Sequence, residues 1–133
     1  IATDGSEYAE KALRAAADLG RRYAARVTAM TAFDPIPRDL GSPHEEQLTA
    51  RRLGAAEELM RAAAEELERA GVAHETEVLP GPAAQAILTL ARNRGCDLIV
   101  MGSRGLSPLG QLLLGSVSLR IVQEAQCPVL ITR

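Results

Sequence analysis

The chain has 133 residues, of which 47% are hydrophobic and 24% are charged, values ordinary for a globular domain. The 15 basic and 17 acidic residues give a net charge of −2, which excludes the basic surface that nucleic-acid binding requires. Two tyrosines, one phenylalanine and no tryptophan are too few aromatic side chains for a base-stacking platform. No apolar run approaches the roughly 20 residues of a membrane helix. We therefore expect one globular domain over residues 1–133, with neither nucleic acid nor membrane as a partner.

Apolar periodicity alternates between strand and helix patterns along the chain. It predicts a strand remnant at 1–3, a helix over 7–24, a strand over 27–33, a loop over 34–43 and a helix over 45–70. It then predicts a half-exposed edge strand over 72–79, a helix over 82–94, a strand over 97–101, a glycine-rich loop over 102–115, a helix over 116–125 and a strand over 128–132. Such alternation predicts an α/β fold, a parallel sheet with helices on both faces.

Two of the predicted loops follow strands and carry residues suited to a ligand. In open parallel sheets, ligands bind beyond the carboxyl ends of the strands, where the strand order reverses. Asp4-Gly5-Ser6 follows the first strand, and the second loop has the spacing G-x2-G-x9-G-S, formed by Gly102, Gly105 and Gly115-Ser116. Glycines allow a ligand close to the backbone, and successive amides with a helix start favour phosphate.

Interpretations of both loops that involve no ligand stay open at this point. A surface loop with a helix-capping serine fits the glycine spacing alone equally well, and Asp4 suits a turn former as well as a ligand. Ser116 and Ser118 would add hydroxyl donors, and Arg104 would add positive charge. The phosphate signature G-x4-G-K-[ST] is absent, because the single lysine, Lys11, lies in the first predicted helix, and no G-x-G-x-x-G motif follows the first strand.

Over nearly its whole length, the sequence resembles the universal stress protein family. The resemblance is carried by A-T-D-G-S at the start, D-L-I-V-M-G-S-R-G in the middle, L-L-G-S-V-S-x-R-I-V before the end, and C-P-V-L-I at the close. The glycine spacing matches the ATP-binding branch of that family. The resemblance implies an adenine-nucleotide alpha hydrolase-like fold, a five-stranded parallel sheet of order 3-2-1-4-5 that reverses between the first and fourth strands.

The same resemblance implies a role for each candidate site residue. It implies that Asp4 and the backbone of Ala2 and Thr3 face the adenosine, and that the backbone of Ala32 bonds the adenine edge. It implies that Met101 and Gly102 line the ribose side. The residues that it implies for the phosphates, with Arg104 adding charge, are Gly105, Gly115, Ser116, Val117 and Ser118. No carboxylate pair is placed for a metal, so any Mg²⁺ accompanying ATP would be held mainly by the phosphates.

The predicted function is that of a cytoplasmic ATP-binding protein with a regulatory or nucleotide-sensing role in the stress response. One alternative is a slow ATP hydrolase at the same site, without an assigned catalytic residue, since a lysine clamp and a water-positioning residue are missing. Another is a dimeric interaction module that binds no nucleotide. The apolar last strand, with Val129, Leu130 and Ile131, predicts a sheet edge, and the family resemblance implies a homodimer through it.

Two cysteines, Cys96 and Cys127, show neither a CxxC motif nor the spacing of a zinc site. We expect reduced thiols of a cytoplasmic protein. Each cysteine immediately precedes a predicted strand. If those strands are parallel neighbours, the two thiols lie at the same end of the sheet, where oxidation would link them.

Overall fold

The computed structural model describes residues 1–34, 44–106 and 114–133. Its helices are α1 (Glu7–Tyr23), α2 (His44–Arg69), α3 (Ala83–Arg94) and α4 (Ser116–Glu124). Its strands are β1 (Val27–Phe33), β2 (His74–Pro80), β3 (Ile99–Gly102) and β4 (Val129–Thr132). The predicted α/β alternation is therefore present. Most of the predicted loop over 34–43, and positions 107–113 of the glycine-rich loop, lie outside the described residues.

The strands pair in parallel, as two pairs joined by the N-terminal segment. In the first pair β1 lies beside β2, and in the second β3 lies beside β4 with Ile99 opposite Val129. Between the pairs, Ala2 forms single bridges to Met30 of β1 and Met101 of β3. The expected first strand is thus reduced to bridges, because the chain turns away at Gly5, where φ is +78°.

Helix α1 has clear signals at both ends. Ser6 is its N-cap, with a side-chain oxygen that accepts a hydrogen bond from the Ala9 amide at 3.3 Å. Acidic side chains in the first turn and basic ones in the last complement the helix dipole. The buried face consists of small residues that bring the helix close to the sheet: Ala9, Ala12, Ala16, Ala17 and Gly20.

Helices cover both faces of the strands. Helices α1 and α2 lie on one face, and α3 and α4 pack together on the other. Neighbouring residues of β1 point to opposite faces, so Ala29 packs in the cluster around Leu67, and Met30 packs in the cluster around Ile121. Within the described part of the chain, no helix combines the length and hydrophobicity needed to span a bilayer.

Two strands begin two residues later than the periodicity predicts. The amide of Val72 donates to the carbonyl of Leu67 at 3.0 Å, so this residue completes the end of α2 instead of starting β2. Ladder bonding of β3 begins at Ile99, whose amide donates to the Pro128 carbonyl at 3.0 Å. In both places apolar residues serve the connection into the strand, which periodicity alone cannot separate from the strand itself.

Candidate functional site

A cavity of about 480 Å³ opens beyond the carboxyl ends of β1 and β3, on either side of the N-terminal segment. This volume lies within the range of pockets that hold small organic ligands. Every site residue predicted from the sequence lines this one cavity: Ala2, Thr3, Asp4, Ala32, Met101, Gly102, Arg104, Gly105, Gly115, Ser116, Val117 and Ser118. The two loops singled out in the sequence therefore converge at one place.

Asp4 ties the first of these loops to the second. One carboxylate oxygen, Oδ1, accepts from the Ser6 amide at 3.0 Å, which makes the turn into α1. The other, Oδ2, accepts from the Leu106 amide at 3.1 Å, in the loop after β3. One carboxylate therefore forms the turn, as the turn-forming interpretation predicts, and also anchors the second loop. The ligand role of Asp4 stays a prediction.

Two glycines allow close approaches around this cavity. A Cβ atom at Gly105 would lie 2.3 Å from Asp4 Oδ2, so the contact between the loops depends on the missing side chain. A Cβ atom at Gly102 would lie 2.8 Å from the backbone carbon of Tyr8 and 2.9 Å from the Ala9 nitrogen. Glycine at the end of β3 thus lets α1 begin against the strand, beside the cavity.

The N-terminus of α4 points its first amides toward the cavity. Gly115 is the N-cap, and the first amide to bond back to it is that of Leu119, at 2.9 Å. The amides of Ser116, Val117 and Ser118 precede that bond, and in the described structure no side chain caps this end. Free amide groups together with the helix dipole make this end of the cavity attractive to an anion.

Other donors of this loop are used internally. The Gly115 amide donates to the Ser103 carbonyl at 2.7 Å, and the buried Ser118 hydroxyl lies 2.8 Å from the same oxygen. These contacts hold the start of α4 against the end of β3. The predicted phosphate contacts through the Gly115 amide and the Ser118 hydroxyl are therefore unavailable while these bonds are made.

The backbone of Ala32 faces the opposite end of the cavity. The amide of Met30 donates to the Ile1 carbonyl at 2.9 Å, and the carbonyl of Met30 accepts from the Thr3 amide at 3.0 Å. Because a strand repeats its orientation every two residues, Ala32 turns its amide and carbonyl the same way. The N-terminal segment has by then turned away at Asp4, so these two groups face the cavity.

The positive charge nearest the loop comes from Arg104. Its guanidinium carbon lies 5.9 Å from the centre of the Tyr8 ring, and no ion pair of Arg104 occurs among the described residues. Lys11 lies on α1, where its Nζ forms an ion pair with Glu7 at 2.8 Å. Arg120 pairs with Glu124 on the surface of α4 at 2.8 Å, as expected of a solvated pair. Arg104 is thus the cation placed to approach an anion in the cavity.

Sequence reasoning missed the apolar wall of the cavity. The additional lining residues are Ala9, Met30, Thr31, Ala83, Ile87, Leu106, Leu114 and Leu119. Ala83 and Ile87 belong to the first turns of α3, which no motif connects with the loops. The place of Met30 in the cavity wall could have been predicted from the sequence, since Met30 lies two residues before Ala32 on the same side of β1. The walls of the site are therefore aliphatic, with polar backbone groups at its two ends.

Comparison with known proteins agrees with this fold. The family model described as "Universal stress protein family" matches residues 1–133. The "Universal stress protein in QAH/OAS sulfhydrylase 3'region" of Thermus aquaticus is 42% identical over 134 residues, covering 100% of this chain and 96% of that protein. Sequence similarity thus extends over both chains almost completely.

Solved structures give the same result. The universal stress protein UspA from Lactobacillus plantarum superposes with a TM-score of 0.91 at 25% identity, covering 100% of this chain and 94% of that one. A universal stress protein solved in complex with cAMP superposes with a TM-score of 0.73 at 26% identity, covering 100% and 93% of the two chains. Together with the full-length family match, these similarities establish that the chain belongs to the universal stress protein family.

Proposed function

We propose that this protein binds ATP in the cavity between the two loops and acts as a cytoplasmic nucleotide-sensing regulator in the stress response. The observation that carries the proposal is the uncapped start of α4, where the amides of Ser116, Val117 and Ser118 line the cavity. An uncapped helix N-terminus in a cavity favours a phosphate group. A structural neighbour solved in complex with cAMP supports an adenine nucleotide as the ligand.

The two ends of the cavity define an orientation for the nucleotide. The amide and carbonyl of Ala32 suit the hydrogen-bonding edge of adenine, which presents both a donor and an acceptor. The aliphatic walls, including Met30 and Ile87, suit the faces of the base, as expected of a chain with few aromatic residues. The backbone of Ala2 and Thr3 then lies beside the adenosine.

The sugar and the phosphates take the remaining lining residues. The ribose would lie by Asp4, Met101 and Gly102, where the carboxylate of Asp4 can accept from a ribose hydroxyl. The phosphates would lie by Gly105 and the start of α4, within reach of Arg104. A Mg²⁺ ion would be held mainly by the phosphate oxygens, because the described residues contain no group of three or more His, Cys, Asp or Glu able to hold a metal.

We infer that the site holds the nucleotide without efficient hydrolysis. Phosphoryl transfer normally uses a cationic clamp, protein-bound metal and a residue that positions water. The single lysine is paired with Glu7 on α1, and Arg104 is the cation that the described residues place in the cavity. A turnover in the range of roughly 1–100 per second that kinases reach would contradict this inference.

Two architectural features belong to the same proposal. We infer that residues 1–133 form one domain with a single sheet, in which the bridged segment around Ala2 takes the place of the first strand. Across that sheet the order is β2, β1, the Ala2 segment, β3 and β4, which is 3-2-1-4-5 when the five are numbered along the chain. We also infer a homodimer through β4, which pairs with β3 alone among the described strands and leaves Leu130 37% exposed. An apolar strand edge favours pairing with a second copy.

The test of nucleotide binding is isothermal titration calorimetry with ATP and, separately, with adenosine. The informative variant is Ser116→Glu, because a carboxylate in the first turn stabilises the helix and repels a phosphate at the same place. Ser116→Gln is its matched control, with the same size and no charge. We expect Ser116→Glu to weaken ATP binding at least tenfold while leaving adenosine binding within about twofold, since one charge repulsion at short range exceeds about 1.4 kcal/mol.

The possible outcomes separate the alternatives. Loss of ATP affinity in Ser116→Glu, with retention in Ser116→Gln, supports the site as proposed. If Ser116→Glu binds ATP as tightly as Ser116→Gln does, and adenosine binding is also equal in the two variants, the start of α4 does not hold phosphate. An absence of heat with any adenine nucleotide would favour the interaction module over a nucleotide sensor.

The dimer has a separate measurement. Light scattering at micromolar concentration should give the mass of two chains, and Leu130→Arg should give the mass of one chain, because a charge on the strand edge opposes pairing. A monomeric unmodified protein would refute the dimer and leave the nucleotide proposal standing.

A further inference from the structure

The ring of Tyr8 lies against two cationic side chains. The Nζ atom of Lys11 lies 5.5 Å from the ring centre, and the guanidinium carbon of Arg104 lies 5.9 Å from it. Both distances fall within the roughly 6 Å over which a cation is attracted to an aromatic ring. Tyr8 belongs to the first turn of α1, whereas Arg104 follows β3, so this ring joins two segments beside the nucleotide cavity.

The two cations differ in their charge partners and in their relation to the cavity. Lys11 forms an ion pair with Glu7 at 2.8 Å, whereas Arg104 has no ion pair within the described ranges of the chain. Arg104 lines the cavity, and Tyr8 does not belong to the lining that the described residues form. Tyr8 can therefore act on a ligand in the cavity only through Arg104.

Backbone contacts hold both partners against the ends of the strands. The Ser6 hydroxyl donates to the Arg104 carbonyl at 3.4 Å, and the Thr132 hydroxyl donates to the Tyr8 carbonyl at 3.0 Å. The missing side chain of Gly102 lets the backbone of Tyr8 come close to β3. The position of the ring is thus set by the fold before any ligand binds.

Arg104 starts beside the proposed phosphate position and ends at the rim of the cavity. A Cβ atom at Gly115, the N-cap of α4, would lie 3.5 Å from the Cα atom of Arg104. The guanidinium lies by Tyr8, which is outside the lining, so the charge is at the rim. The amides at the start of α4 are enough for one phosphate, whereas a triphosphate extends beyond them and brings further negative charge to the rim.

Contact with the ring leaves the guanidinium able to bind phosphate. The N–H donors of an arginine lie in the plane of the guanidinium, so a group stacked through its face keeps them free for phosphate oxygens. An arginine side chain loses conformational entropy when a phosphate fixes it. A ring that already restricts the side chain lowers this cost, and binding becomes tighter without a new contact to the ligand.

We propose that Tyr8 is a positioning residue that holds the Arg104 guanidinium at the rim for the outer phosphates, and thereby makes the site prefer ATP to AMP. The proposal rests on the proposed nucleotide function and adds the feature that counts phosphates. Tyr8 contributes only while the guanidinium of Arg104 is present. Its hydroxyl has no part in the contact, so a phenylalanine ring serves equally well.

The test is calorimetry with ATP, AMP and adenosine on Tyr8→Leu, Arg104→Gln and the double variant. Tyr8→Leu should weaken ATP binding about two- to fivefold, the range that one exposed cation–π contact supplies, and leave adenosine binding unchanged. Arg104→Gln should weaken ATP binding about tenfold or more, and AMP binding less. In the Arg104→Gln background, Tyr8→Leu should have no further effect, because the two residues act as one unit.

Three controls separate positioning from folding. Tyr8→Phe should bind ATP as the unmodified protein does, since it keeps the ring. Tyr23→Leu makes the same substitution at the other end of α1, where the side chain is 76% exposed, and should change no affinity. In the protein without nucleotide, Tyr8→Leu should move the Arg104 Nε–H signal in the NMR spectrum, because the ring current at the guanidinium is lost.

The outcomes distinguish this inference from the proposed function. An unmodified protein that binds no adenine nucleotide refutes both. If ATP binds, the inference alone is overturned by Tyr8→Leu weakening ATP, AMP and adenosine alike, by ATP binding that is unchanged or tighter in that variant, or by a Tyr8 effect that persists in Arg104→Gln. If Tyr8→Leu folds poorly, Arg104→Gln decides, since an unchanged ratio of ATP to AMP affinity there overturns the inference.

Discussion

The Asp4 carboxylate accepts a hydrogen bond from the Leu106 amide at 3.1 Å, across 102 positions of sequence. Its other oxygen accepts from Ser6 at the start of α1. One side chain thus fastens the loop after β3 to the turn after the N-terminal segment, and the candidate cavity lies between them. The shape of the site depends on this contact before any ligand enters.

Asp4→Asn tests that contact. An asparagine can keep the turn with Ser6, but it then presents an NH₂ group to the Leu106 amide, so one hydrogen bond is lost. We expect about 1 kcal/mol lower free energy of unfolding in urea. We also expect faster hydrogen exchange at the Leu106 amide. Asp18→Asn is the control, since Asp18 forms only exposed ion pairs on α1 and should change stability little. Unchanged exchange at Leu106 would contradict the anchoring role.

Two helical glycines test the packing of α1 against Val72, in the connection that follows α2. At Gly20 a Cβ atom would lie 2.7 Å from Val72 Cγ1, so Gly20→Ala should lower stability by about 1–3 kcal/mol through overpacking. At Gly54 a Cβ atom meets nothing within 4 Å, so Gly54→Ala should raise stability by about 0.5–1 kcal/mol through helix propensity. Urea unfolding of both variants checks this, and changes of the same sign would refute the packing as described.

The end of α1 offers a stabilising substitution. Ala24 is the one non-glycine residue of the described chain with positive φ, at 50°, where a Cβ atom is unfavourable. Ala24→Gly should therefore raise the thermal midpoint, with a net gain of about 0.5 kcal/mol after the entropy of the unfolded glycine is included. Ala25→Gly is the matched control, and it should lower the midpoint because it adds only that entropy. A loss in both variants would count against a left-handed Ala24.

The reactivity of Cys127 should depend on pH in a predictable direction. Because burial and neighbouring charges raise the pKa of this thiol, it holds less thiolate than an ordinary cysteine at any given pH. We expect iodoacetamide to modify Cys127 more slowly than a model peptide thiol at pH 8, with the half-maximal rate displaced to higher pH. Alkylation stopped at timed intervals, followed by peptide mapping, measures the rate and its pH dependence. A half-maximal rate at the same pH as for the model peptide, or at a lower pH, would be inconsistent with the burial of this side chain.

Much of this molecule was predictable because its signals are local. Periodicity identified β1 with its exact bounds. The caps at Ser6 and Gly95 are equally local, because each satisfies backbone groups only a few residues away. The glycine loop and Asp4 were found for the same reason, since each is a short motif. Boundaries that depend on a partner strand, such as the starts of β2 and β3, were misplaced by two residues.

By itself, the sequence of this protein determined the strand and helix alternation, the family and the set of loop residues that line the cavity. Only the tertiary structure decided what each group does there. It directs the Gly115 amide to Ser103 and leaves the next amides of α4 facing the cavity, and it brings Ala83 and Ile87 in as an apolar wall. These outcomes depend on contacts between distant segments, which no local pattern encodes. The few aromatic residues and the single lysine counted in the composition leave aliphatic walls and backbone amides to form the site.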